Sequence, residues 1–373
     1  MEIKKNYMSK VIFLLTLSLI ICFGTLISYG SLGLDRYIKN EFILSIIILI
    51  LMVLYDKVNP WVIDKKSIWI LLMVFALLSE VINRRNHAIN LISITFFVLV
   101  AVKLKEQSYK ILIGATIIAQ LIFFYRYRLE SYFNSYALAT AITGIEIMLL
   151  LYMSKKRKLW HLISVYLLFF VILFVMASRT SLLAFSIGSA ILILGYIRRM
   201  KTNKYIALCS VFVLGIFFLW KYYDLILNLF FYKWKNLGYS STDLSSGRFG
   251  MWKDVILHQM SLMGHEENFI MDKYSHQDLH NIFVQVLGKY GVLCFIIFVV
   301  WFVDLIKRVI NLSSTYRLLF MSFFSFYFVA GMTENVLFLD CKVFIIAFCF
   351  SINLAWLYKV SDDEKYENKI FLE

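Results

Sequence analysis

Apolar runs of membrane-spanning length recur from one end of this 373-residue chain to the other. A helix that crosses a bilayer needs about 20 mostly apolar residues, because in lipid the backbone N–H and C=O groups must be satisfied within the segment. Only 17% of the residues are charged, whereas soluble domains carry about 25%. The sequence therefore predicts an all-α, polytopic integral membrane protein that forms one membrane domain over residues 1–373.

The apolar runs can be counted along the chain, and each one is a candidate span. The count predicts about twelve transmembrane helices. Their predicted bounds are 11–29, 42–55, 67–82, 88–102, 111–125, 136–153, 159–177, 181–197, 205–220, 282–303, 318–334 and 343–358.

Basic residues cluster in alternate connections between these runs, namely 57–66, 103–110, 155–158, 198–204 and 307–308. Cytoplasmic loops are enriched in Lys and Arg. We therefore expect a multi-pass protein of the inner (plasma) membrane with both termini in the cytoplasm. The formal charge of +14 is spread over these short loops, which argues against a nucleic-acid surface.

One long connection, 221–280, lies between the ninth and tenth predicted spans and falls on the extracytoplasmic side in this scheme. Within it, Ser245, Ser246 and Gly247 precede a helical pattern that includes Trp252. Serine is a preferred residue at the start of a helix. Arg248 follows at this start, where free N–H groups and the positive end of the helix favour anions. An anion site and a solvated loop arginine are both open for Arg248.

Several arginines depart from the positive-inside pattern, and these exceptions are where we expect function. They are Arg84, Arg85, Arg126, Arg128 and Arg179. The link that holds Arg179, residues 178–181, is so short that its guanidinium must stay at the membrane face, either in a cavity or snorkelling to the interface. Arg126 and Arg128 either bind a phosphate or pair with Glu130.

His280 stands where the long connection returns to the membrane. Asp278 is a candidate cap for the helix that follows, and a histidine near the positive end of a helix favours its neutral, proton-accepting form. A structural role is the alternative. Glu80, Glu146 and Glu334 lie in or at the ends of spans, where carboxylates are either functional or paired with one of the arginines.

No metal site and no cofactor site are expected from the motifs. His258, His265, His276 and His280 lie in or next to the long connection. His276 and His280 have the i, i+4 spacing of a zinc site, but HExxH and nearby thiolates are missing. The chain also has no Walker loop, dinucleotide fingerprint or GxSxG motif.

Four short islands together resemble the O-antigen ligase and polymerase superfamily of bacterial polysaccharide assembly, which includes Wzy-type polymerases. In chain order they are RLESYFN at 128–134, SRTSLLA at 178–184, SGR at 246–248 with Trp252, and HNIF at 280–283 leading to Gly291. The sequence departs from the family where it reads Asn134-Ser135-Tyr136 instead of Asn-Pro-Asn, and where a second glycine is often found near Cys294.

The resemblance implies a GT-C-like membrane glycosyltransferase. It would join oligosaccharide repeat units carried on undecaprenyl pyrophosphate at the outer membrane face, for capsule, exopolysaccharide or O-antigen, without metal or nucleotide. Arg179 and Arg248 would hold the pyrophosphate, and His280 would orient or deprotonate the acceptor hydroxyl. The further substrate-binding candidates are Arg126, Arg128, Trp252, Asn281 and Glu334.

The pathway would supply further partners, namely a flippase and a chain-length regulator. Three alternatives remain open. The first is a ligase-type glycan transferase of the same superfamily. The second is a polysaccharide flippase or other transporter, in which the outer arginines line the route. The third is a metal-dependent glycosyltransferase, for which Asp35 in the first outer loop is the candidate ligand.

Overall fold

The computed structural model describes residues 2–28, 43–58, 67–85, 88–127, 134–154, 158–176, 178–198, 248–266, 268–274, 279–332, 334 and 344–370. Within these ranges every regular element is a helix, which confirms the all-α class. The predicted span 205–220 and most of the long connection 221–280 lie outside the described residues.

The described helices follow one another along the chain in the order given next. They are α1 (Glu2–Ser28), α2 (Ile43–Asp56), α3 (Ser67–Ile82), α4 (Ala88–Ala101), α5 (Glu106–Tyr127), α6 (Asn134–Met153), α7 (Leu159–Val175), α8 (Arg179–Ile197), α9 (Arg248–His258), α10 (Phe269–Tyr274), α11 (Ile282–Gln285) with a π-helical turn (Val286–Tyr290), α12 (Gly291–Ile310), α13 (Ser314–Gly331) and α14 (Phe344–Ile370).

The predicted count of about twelve transmembrane helices is wrong, and with it the GT-C-like fold class that assumed this count. Among the described residues only four segments are long and apolar enough to cross a membrane: Tyr136–Met153, Arg179–Ile197, Ile282–Ile310 and Phe344–Glu364. Other apolar runs do form helices, but five of them have only 10–17 residues. A helix rises about 1.5 Å per residue, so a helix of about 14 residues covers roughly 21 Å of a hydrocarbon core about 30 Å thick.

Helices α8 and α13 pack antiparallel through small residues of α8. A Cβ added at Gly195 would meet the side chain of Leu318, and one at Gly188 would meet the backbone of Ser322. The hydroxyl of Ser322 also donates a hydrogen bond of 2.7 Å to the carbonyl of Gly188. Small residues allow two helix backbones to approach this closely. The first turn of α8 and the last turn of α13 therefore lie at the same end of the bundle, which we call the Arg179 end.

Helices α3 and α12 are also antiparallel. The rings of Trp69 and Trp301 lie 5.8 Å apart, whereas at the other end of α3 the hydroxyl of Ser79 donates to the carbonyl of Met263 over 2.6 Å. The chain 261–265 in turn lies on the first turn of α12, because the N–H groups of Val292 and Leu293 donate to the carbonyls of residues 261 and 262 over 2.9 and 3.3 Å. The segment after α9 thus covers the start of α12.

Two glycines allow the segment 261–265 to lie directly on the start of α12. Gly264 has a φ of +84° and Gly291 a φ of +89°, in the region that side chains with a Cβ rarely adopt. A Cβ on Gly264 would collide with the backbone of Lys289, and a Cβ on Gly291 would collide with the backbone of Gly264. Gly291 also separates the π-helical turn from α12, so the candidate span Ile282–Ile310 is broken at that point.

Candidate active site

His280 and Glu334 lie next to each other at the Arg179 end. The Nδ1 atom of His280 is 3.6 Å from Oε2 of Glu334, and the side chains are 25% and 13% exposed. His280 has a φ of +52°, a left-handed conformation that is uncommon for a residue other than glycine. Such outliers cluster at functional sites, where the surrounding structure holds them in place. The sequence named both residues but did not predict that they pair.

Asn281 holds this geometry in place. Its side-chain oxygen accepts hydrogen bonds of 3.0 and 3.2 Å from the N–H groups of Phe283 and Val284, so Asn281 is the N-cap of α11. Its amide nitrogen donates over 3.2 Å to the carbonyl of Met332, two residues before Glu334. Asn281, predicted to bind substrate, therefore positions its neighbours through bonds within the protein. The predicted cap, Asp278, lies outside the described residues.

Trp252 fixes α9 against the residues that precede His280. The indole N–H donates to the carbonyl of Leu279, and the ring packs on a small apolar cluster that includes Val255, Leu279 and Val284. The predicted helix after Gly247 is thus present as α9, and Trp252 serves to dock it. Because Trp252 is tied to Leu279, the start of α9 is held at a defined distance from His280.

Arg248 and Arg179 lie within electrostatic range of each other. Arg248 is the first residue of α9 and Arg179 the first residue of α8, and the positive charge of Arg248 acts on the guanidinium of Arg179. Both side chains are partly buried. Two like charges held at the N-terminal ends of two helices repel each other and create a local positive potential. This is the arrangement that attracts a polyanion.

Four of the predicted site residues therefore lie at one end of the bundle although the chain separates them widely: Arg179, Arg248, His280 and Glu334. Two other predicted site residues cannot be placed. Arg126 is in the last turn of α5, but its side chain, like Arg128 as a whole, lies outside the described residues.

The sequence did not predict the partners of Arg85. Arg85 is buried and forms an ion pair with Glu80, with 3.3 Å between Nε and Oε1. Its Nη1 donates over 2.7 Å to the carbonyl of Lys289, and its guanidinium lies 4.6 Å from the ring centroid of Tyr290. Of the two alternatives for Glu80, the structure therefore favours pairing. The arginine five residues after Glu80, just past the end of α3, was the available sequence signal.

Among the histidines considered as metal ligands, His265 contacts other protein groups. His265 is bonded through Nε2 to the carbonyl of Gln259 over 2.8 Å and stacks on Phe269 with 3.9 Å between ring centroids. His276 lies outside the described residues. Within the ranges that the structure covers, no group of three or more His, Cys, Asp and Glu side chains is arranged to hold a metal ion.

No family model matches this chain, and a comparison with curated proteins found no match. The likeness to polysaccharide polymerases and ligases therefore rests on the four islands of the sequence. The described parts of three of these islands, Arg179, Arg248 with Trp252, and His280, meet at the Arg179 end.

Proposed function

We propose that this protein is a metal-independent membrane glycosyltransferase that joins oligosaccharide units carried on undecaprenyl pyrophosphate. The observation that carries the proposal is that the charge of Arg248 acts on Arg179 at the end of the bundle that also holds the His280–Glu334 pair. Among the described helices, four are long and apolar enough to span a membrane, which suits a lipid-linked substrate.

The arginine pair suits the leaving group of this reaction. When the bond between the anomeric carbon and the phosphate oxygen breaks, negative charge develops on the pyrophosphate. Guanidinium groups bind phosphate oxygens through two parallel N–H···O bonds and keep their charge at any physiological pH. Charged donors held in advance at the position of developing charge usually give the largest single contribution to catalysis.

His280 and Glu334 suit the other half of the reaction. The acceptor hydroxyl forms the new bond to the anomeric carbon and must lose its proton to a base. A histidine can take that proton near neutral pH. Glu334, 3.6 Å from Nδ1 of His280, would hold the ring so that Nε2 is directed to the acceptor and would stabilise the imidazolium that forms.

The proposal also assigns an orientation in the membrane. The Arg179 end would face the outside of the cell, because the opposite end carries Lys103, Lys105, Lys307 and Arg308, and cytoplasmic ends are rich in Lys and Arg. Repeat units that reach the outer leaflet would then meet the arginines at the membrane surface. The product would be a capsule, exopolysaccharide or O-antigen chain.

The test is a polymerisation assay with purified protein in liposomes that contain lipid-linked repeat units. Wild-type protein should produce a ladder of products, and the double variant Arg248→Ala with His280→Ala should not. Arg198→Gln is the matched control, because Arg198 caps the opposite end of α8. It should leave the ladder intact. Full chain elongation by the double variant would overturn the proposed site.

A further inference from the structure

Glu146 is a fully buried carboxyl group in the middle of a candidate membrane span. Its side chain is 0% exposed and it lies within Tyr136–Met153. An ionised carboxylate away from water is very costly unless a cation or several hydrogen-bond donors surround it. The proposed glycan transfer does not use this residue, which lies away from the Arg179 end.

The helices packed against α6 are α5, α7, α8, α13 and α14. Among the described side chains of these helices, Thr116 of α5 and Cys349 of α14 reach the Glu146 carboxyl. Within the described part of the chain, no Lys, Arg or His side chain interacts with Glu146. The surroundings of Glu146 thus offer hydrogen-bonding groups but no described counter-charge.

The hydrogen atoms around Thr116 can be counted. Its hydroxyl oxygen lies 2.7 Å from the carbonyl oxygen of Ile113 and 2.6 Å from Oε2 of Glu146. A threonine hydroxyl has one proton, and a backbone carbonyl can only accept. Both distances are those of O–H···O hydrogen bonds. If Thr116 donates to Ile113, the proton in the second contact must belong to Glu146.

We propose that Glu146 is a proton-binding site and that its carboxyl is neutral in the folded protein. The carboxylic acid donates to Thr116, Thr116 donates to the carbonyl of Ile113, and the Cys349 thiol lies alongside as a weak donor. The bound proton joins α6 to α5 and α14. Glu146 can release it only when these helices separate enough to admit water or a cation, so proton binding and helix packing are coupled.

Infrared difference spectroscopy on the full-length protein in lipid tests this without any glycan assay. Subtracting the spectrum of Glu146→Gln from that of the wild type at neutral pH should reveal the C=O stretch of a protonated carboxylic acid. The matched control is Glu106→Gln, because Glu106 is 44% exposed and lies 2.8 Å from Lys110. This control should remove only carboxylate bands.

A second variant covers the case in which Glu146→Gln does not fold. Thr116→Val removes the acceptor of the Glu146 proton while keeping the side-chain shape, so the carboxylic acid C=O stretch should shift. The proposal is overturned if Glu146→Gln removes carboxylate bands as the control does. A Thr116→Val spectrum that changes only in the carboxylate region would overturn it equally.

Discussion

The charged side chains at the two ends of the helix bundle have different interactions. At the end opposite Arg179, several charged groups have described partners within the protein: Arg308 lies 2.7 Å from Asp304 and 3.6 Å from Asp362. Asp56 there accepts from the hydroxyl of Ser108 over 2.7 Å. At the Arg179 end, by contrast, two arginines with like charge are held within electrostatic reach of each other. Under the proposed function, the charges at the Arg179 end bind a ligand, whereas the pairs at the other end stabilise the fold.

The Arg179 end itself contains the counter-example. Arg85 also departs from the positive-inside pattern, yet it is buried and paired with Glu80. An arginine on the unexpected side of the membrane is therefore not by itself a sign of function. What distinguishes Arg179 and Arg248 is that each is the first residue of a helix and that the charge of one acts on the other.

The largest effect on activity is expected for a substitution of His280 at the Arg179 end. His280→Ala should lower the polymerisation rate about 10² to 10⁴-fold, the usual contribution of a general base, while binding of the lipid-linked donor stays unchanged. Glu334→Gln should reduce the rate less and should change its pH profile, because Glu334 acts through His280. Equal rates for His280→Ala and wild type would show that the proton goes elsewhere.

The next largest effect is expected for the Arg85–Glu80 pair, because Arg85→Ala leaves the buried carboxylate of Glu80 without its ion-pair partner. Breaking a buried pair typically costs about 3–5 kcal/mol, so the unfolding temperature in detergent should fall strongly. The neighbouring Arg84 is exposed and provides the control, since Arg84→Ala should alter stability by about 0.5 kcal/mol at most. Similar stability of the two variants would place Arg85 with Arg179 and Arg248 as a ligand-binding arginine.

The sequence predicted the helices well and their contacts poorly. Apolar runs located the start of every described membrane-length helix to within about two residues, because apolarity is a local property. Two of these helices continue beyond their predicted ends at 303 and 358, to Ile310 and Glu364. The number of spans was wrong because a run can be apolar and still form a helix too short for the bilayer, as α2 and α4 do with 14 residues each. Site residues were named one by one. Their partners were not. His280 meets Glu334 only after two helix ends pack together, whereas the pairing of Glu80 with Arg85 was missed although both residues lie at the end of α3.

A smaller loss of stability is expected where the segment 261–265 contacts the start of α12. Gly291→Ala places a Cβ at a φ of +89° against the backbone of Gly264. Strained backbone conformations cost about 1–3 kcal/mol each, and the collision adds to this. Gly250→Ala is the matched control, because a Cβ at Gly250 meets nothing within 4 Å. Thermal unfolding should show a lower unfolding temperature for Gly291→Ala than for Gly250→Ala. Equal unfolding temperatures would contradict the close contact between Gly291 and Gly264.

The smallest effect concerns Asp254 and its pH dependence. Tyr274 donates to Asp254 over 2.6 Å, and this bond, with help from Lys273, holds the pKa of the Asp254 carboxyl below its usual range. A lowered folded-state pKa stabilises the fold above the unfolded value of about 3.9, and this stabilisation is lost as the pH falls through the folded pKa. The small difference in unfolding temperature between wild type and Tyr274→Phe should therefore shrink in acid. A difference that is constant with pH would contradict this origin.

Binding of undecaprenyl pyrophosphate to purified protein tests the central claim most directly, because it isolates the arginine pair from catalysis. Arg179→Gln and Arg248→Gln should each weaken binding about tenfold to a hundredfold, since a hydrogen bond to a charged group contributes about 1.5–3 kcal/mol. Arg198→Gln, at the other end of α8, should bind as the wild type does. Wild-type affinity in both Arg179→Gln and Arg248→Gln would contradict a pyrophosphate site at the Arg179 end.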